Sequence, residues 1–95
     1  MPPARVPLTK PKKYRNVPDD LFCGKAAGSH QWGYPVNTPG RCSAALSYGA
    51  RFAPDPEGLA RCVLRKARQQ GFACGGSSQL VADLNLKPAP GVKTD

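Results

Sequence analysis

Apolar and charged positions separate most cleanly between Leu59 and Gln70. Leu59, Cys62, Val63 and Ala67 recur at the i, i+3, i+4, i+8 spacing of one helix face, and Arg61, Arg65 and Arg68 line the other. The start of this helix is spelled out. Asp55 is a side-chain acceptor for the first-turn N–H groups, Pro56 sits where a missing N–H costs nothing, and Glu57 complements the positive helix end. Gly71 is a C-terminal stop. The same grammar precedes it: Thr38 as cap, Pro39 as first residue, then a narrow face of small residues made by Cys42, Ala45, Leu46 and Gly49. The pattern predicts helices over about Pro39–Arg51 and Pro56–Gln70, joined by Phe52–Pro54. So short a link folds two helices into an antiparallel αα-hairpin. Leu46, Leu59, Val63 and Ala67 are the expected core, closed by Trp32 and Phe72, with no sheet larger than two short strands.

The flanks are irregular. Gly24, Gly28 and Gly33 make 22–37 a loop, with Phe22, Trp32 and Tyr34 as its anchors and Tyr34–Pro35–Val36 as an extended lead-in. Residues 1–18 carry Pro2, Pro3, Pro7 and Pro11 with Arg5, Lys10, Lys12, Lys13 and Arg15, and no acid. That composition reads as an extended, polyproline-like basic arm. It has neither the apolar stretch of a secretory signal nor the amphipathic helix of a transit peptide. Residues 77–95 hold one apolar patch, Leu80, Val81, Leu84 and Leu86, before an extended end rich in Pro and Gly. The fold class expected is a small, mainly α protein: an αα-hairpin domain over 19–76 between extended N- and C-terminal arms.

Composition sharpens this picture. Eleven Pro and ten Gly in 95 residues disfavour long elements, and a 40% hydrophobic content leaves a core too small to enclose a substrate. Fourteen Lys/Arg against six Asp/Glu give a net charge of +8, which suits an acidic protein surface or nucleic acid. No apolar run approaches a membrane span.

Cys23, Cys42, Cys62 and Cys74 are the candidate covalent chemistry. No C-x-x-C pair occurs, so the usual zinc-ribbon and redox spacings are missing. Two disulfides, a four-cysteine metal site and reduced core thiols all remain open. For disulfides, the hairpin favours a nested pairing. Cys42 lies ten residues before Phe52 and Cys62 ten after it, so the two come level, while Cys23 and Cys74 flank the open end. Cys42–Cys62 with Cys23–Cys74 is therefore the expected connectivity. Such bonds imply an oxidising setting or oxidation on assembly.

Catalytic chemistry has few carriers. His30 is the one histidine and lies in a glycine-rich loop; no Ser or Cys has a recognisable His and carboxylate partner, and the glycine clusters lack the end of a P-loop. Asp19–Asp20 and Asp55–Glu57 read as solvated or capping residues. No enzyme, cofactor or metal is expected. Arg61, Arg65 and Arg68, with the arm cations Arg5, Lys10, Lys12, Lys13 and Arg15, are the candidate partner-binding residues. A solvated face, an acidic protein partner and phosphates all fit them.

The stretch 34–67, YPVNTPGRCSAALSYGARFAPDPEGLARCVLRKA, resembles a short helical-hairpin module of virus and phage structural proteins. Its cysteine-containing form, with RCSAALSY inside and Cys-Gly before and after, is similar to small virion proteins of large double-stranded DNA viruses. The resemblance covers about half of the chain and brings no catalytic residue. It implies a minor capsid component that cements larger coat subunits, located in the virion, with those subunits as partners. A nucleic-acid-associated basic protein, packing virion DNA or belonging to a small ribosomal subunit, is the alternative.

Overall fold

A computed structural model describes residues 10–90. Two helices dominate, α1 (Pro39–Phe52) and α2 (Pro56–Gln70), antiparallel and packed on each other. Both begin as their sequences specify. The Thr38 side chain accepts from the Arg41 N–H at 3.1 Å, and Asp55 Oδ1 accepts from the Gly58 N–H at 3.0 Å. Gly71 closes α2 in the left-handed region (φ 87°), its N–H donating to the Ala67 and Arg68 carbonyls. A side chain at this φ costs energy that glycine avoids. Asp55→Ala should lower stability by about 1 kcal/mol, read as a shifted midpoint in urea, since it orphans a first-turn donor.

Leu46, Leu59 and Val63 are fully buried between the helices, and Ala67 with them. The described core contains only apolar and sulfur-bearing side chains. Phe72 packs against this core as expected. Trp32 instead sits edge-on to Phe22, 5.2 Å between centroids.

The flanking segments fold back onto the hairpin, so the packed body reaches past the expected limits at Pro18 and Gly76. A 3₁₀ turn at Lys12–Tyr14 brings Val17 into the core, only 1% exposed, and the Lys10 ammonium donates to the Val17 carbonyl at 2.9 Å. Lys10 also pairs with Asp19. Residues 10–18 thus form a turn against the body instead of a polyproline arm, because a buried valine and an ion pair outweigh the stiffness of the prolines around them. The outer arm, 1–9 with Arg5, lies outside the described residues, as does 91–95.

At the other end, the Leu80–Leu86 patch becomes a short helix, α3 (Gln79–Asp83), capped by Ser78 and burying Val81. Strands β1 (Ala73–Cys74) and β2 (Ala89–Pro90) pair antiparallel with Cys74 opposite Ala89, and Ala89 is buried. The tail expected to be extended from residue 77 is therefore tied down as far as Pro90. Among the described residues the sheet has two short strands, and no helix is long and apolar enough to cross a membrane.

The four cysteines form two disulfides, but not the expected ones. The bonds are Cys23–Cys62 and Cys42–Cys74, with Cα–Cα distances of 5.9 and 6.2 Å. The nested pairing fails because the hairpin turns about Pro54, not Phe52: α1 runs to Phe52 and α2 starts at Pro56. Cys42 is then twelve positions before the pivot and Cys62 only eight after it. That offset of four residues is one helical turn, about 6 Å along the axis at a 1.5 Å rise. The loop after Cys23 adds the second reason. It heads toward the turn end, where the Ala27 carbonyl accepts from the Asp55 N–H at 2.9 Å. Cys23 therefore lies beside the middle of α2. Cys74 follows the Gly71 stop and meets Cys42 near the start of α1.

Candidate functional site

The basic stripe of α2 is largely engaged within the chain. Arg61 makes a two-pronged contact with Glu57 Oε2, at 2.7 and 3.0 Å, and Arg68 Nη2 donates to the Lys87 carbonyl at 2.9 Å. Lys66 donates to the Asp20 carbonyl at 2.5 Å. Arg65 is exposed on the same helix. The stripe thus works in part as a clamp on the chain's own flanks. Lys12, Lys13 and Arg15 project from the N-terminal turn, all exposed.

A second cationic surface forms where the N-terminal turn meets α1, and the sequence reading did not single it out. The Lys13 ammonium and the Arg41 guanidinium each lie 5.1 Å from the centroid of the Tyr14 ring. Arg41 also donates to Asn37 Oδ1 at 3.3 Å, which fixes the guanidinium on the ring. Cation–π contact of this kind holds a charge in place without neutralising it. Lys10 lies 5.3 Å from the Trp32 centroid and 5.9 Å from that of Phe22, extending the cluster.

Between these groups runs an open groove of about 620 Å³, walled by Tyr14, Trp32, Tyr34 and Tyr48 and floored by Ala44 and Ala45. Among the described residues Lys13, His30 and Arg41 are the basic groups at its lining, and no Asp or Glu lines it. Arg41, Ala44, Ala45 and Tyr48 follow i, i+3, i+4, i+7, so one face of α1 supplies the floor and one end wall. The next residue on that face is Phe52. Tyr48 and Phe52 touch with centroids 4.6 Å apart and ring planes tilted by 40°, and remain 59% and 60% exposed. They are the large hydrophobic residues left exposed among those described.

Tyr34 joins the wall to Tyr48, 5.9 Å between centroids. Its backbone is left-handed (φ 54°), a conformation that costs a non-glycine residue energy. Two hydrogen bonds around it hold the lead-in: the Cys23 N–H donates to the Tyr34 carbonyl at 3.0 Å, and the Val36 N–H to the Leu21 carbonyl at 2.8 Å. Burial pushes the Tyr34 phenol above its ordinary pKa, and the Tyr48 phenol adds to the shift.

The groove's helical half was readable as a wheel pattern, Arg41–Ala44–Ala45–Tyr48, with Phe52 next on the same face. Its other half needed the fold-back of Tyr14, which no local signal specifies. His30 lines the groove as part of its loop. Asp55 caps α2 and Glu57 pairs with Arg61, so both carboxylates have structural partners. Among the described residues no group of three or more His, Cys, Asp or Glu is placed to hold a metal ion.

These features define a small, mainly α domain cross-linked by two disulfides, with an aromatic and cationic groove on one side. No family model matches the chain, and neither a curated protein nor a solved structure resembles it significantly.

Proposed function

We propose that this chain is a minor structural component of a virion shell, of the kind found in large double-stranded DNA viruses, seated between larger coat subunits. The observation that carries the reading is the hairpin itself. The 34–67 stretch that resembles a virion module folds as a unit across α1 and α2, and its Tyr48–Phe52 pair is left open to solvent. Exposed aromatic residues beside Arg are the side chains that dominate protein–protein interfaces. Two disulfides in so small a domain suit a protein that must keep its shape outside a reducing cytosol.

Particle purification tests this. The chain should co-sediment with intact particles and stay with the shell after nuclease digestion and washing in high salt. Removing residues 1–9 should weaken incorporation while leaving the hairpin's helical signal unchanged. Release by nuclease alone would sink the shell reading and favour the nucleic-acid-associated alternative, which the +8 charge supports.

A further inference from the structure

The groove between the N-terminal turn and α1 combines two things that a single-stranded nucleic acid needs: fixed cations for its phosphates and open ring faces for its bases. We propose that this groove binds single-stranded nucleic acid without strong sequence preference. The proposal does not rest on the shell reading; it gives the Tyr48–Phe52 pair a second partner, for which nucleic acid and a coat subunit would compete.

Charge comes first. Lys13 and Arg41 are both held on the Tyr14 ring, and among the described residues no carboxylate lines the groove to neutralise them. The ring holds both charges without cancelling them, so each remains available to a phosphate. The chain's +8 charge draws a polyanion toward the site.

Stacking comes second. Tyr48 and Phe52 stand one helical turn apart, in contact with their planes tilted by 40°, and both are more than half exposed. Arg41 to Phe52 spans about 16 Å of helix at a 1.5 Å rise per residue. Cations thus mark one end of a track and stacking rings the other. Ala44 and Ala45 keep the floor between them low. Base stacking on aromatic side chains tolerates every sequence, because every base has a π face. A duplex keeps its bases inside and cannot use the rings.

The experiment uses the full oxidised chain, a labelled oligothymidine, a duplex of equal length and a polyglutamate peptide. Oligothymidine should bind more tightly than the duplex, and its affinity should fall with salt. Tyr48→Ala should weaken oligothymidine by about tenfold, within the range known for loss of one stacking ring, with the salt slope unchanged. Tyr48→Trp should keep the affinity. Arg41→Ala should lower the salt slope by about 0.7, the value for one phosphate contact on a single strand. Tyr48 is exposed, so the variant's helical signal should match that of the parent and secure the comparison. Equal binding of duplex and single strand overturns the proposal, as does Tyr48→Ala binding like the parent. Polyglutamate binding as well as oligothymidine also overturns it, and assigns the groove to acidic protein segments.

Discussion

Reduction of both disulfides should unfold this protein at room temperature. The bonds close chain segments with sequence separations of 39 and 32 residues. In the chain-entropy account each such loop is worth about 4 kcal/mol. A domain of this size has a total stability of about 4–12 kcal/mol, so losing both bonds removes most or all of it. The core cannot compensate. Beyond Phe22 its largest buried side chains are Leu46, Leu59 and Leu64, and much of the rest is alanine, valine and the cysteines themselves. The bonds also fix where the flanks go. Cys23–Cys62 holds the 22–28 loop on α2, and Cys42–Cys74 holds the start of α1 against β1. Circular dichroism with and without a thiol reductant checks this, and retention of a cooperative melt in full reductant would refute it. The double variant Cys23→Ala/Cys62→Ala should lower the melting temperature by about 15–30 °C, using roughly 4–8 °C per kcal/mol for a small domain. Cys42→Ala/Cys74→Ala should do about the same. Peptide mapping without reduction should recover the 23–62 and 42–74 links; recovery of 42–62 would overturn the topology.

The features that were legible in the sequence are those decided within a few residues. Thr38–Pro39 and Asp55–Pro56 specify helix starts because a side-chain oxygen and a fixed φ act on the adjacent turn, and both caps form. Gly71 specifies a stop for the same local reason. The small-residue face of α1 announced close helix packing. The cysteine partners were not legible, because they depend on where a loop travels. The hydrogen bond from Asp55 to the Ala27 carbonyl decides that Cys23 lies beside Cys62, and nothing near either cysteine encodes it. The tail was half legible. Its apolar patch was visible, but its helix depends on docking: Gly75, at φ 92°, passes so close to Leu64 that an added Cβ would meet the leucine at 2.9 Å. The aromatic groove was hidden for the same reason. Tyr14 reaches Arg41 only because Val17 is drawn into the core and folds the prolines back.

Substitutions at the helix crossing should be strongly non-additive. A Cβ built on Gly49 would run into Leu59 Cδ2, with Leu59 Cγ at 3.2 Å and Tyr34 Cε1 at 3.5 Å. Leu59 is fully buried, so it has little room to yield. In an isolated helix Gly49→Ala would gain up to about 1 kcal/mol from propensity. Here the overpacking should cost about 1–3 kcal/mol and reverse the sign. Leu59→Ala should cost about 2–5 kcal/mol, since it removes buried methyl groups and leaves a cavity. The cavity opens where the new methyl of Gly49→Ala would point. In the Leu59→Ala background Gly49→Ala should therefore stabilise, by filling part of the void and restoring the propensity gain. Urea unfolding of the four proteins, with the disulfides intact, gives the coupling directly. It should exceed about 1 kcal/mol, the order seen for residues in contact. Strict additivity would mean that α1 and α2 do not cross at this glycine, and the packing on which the groove face of α1 depends would have to be redrawn.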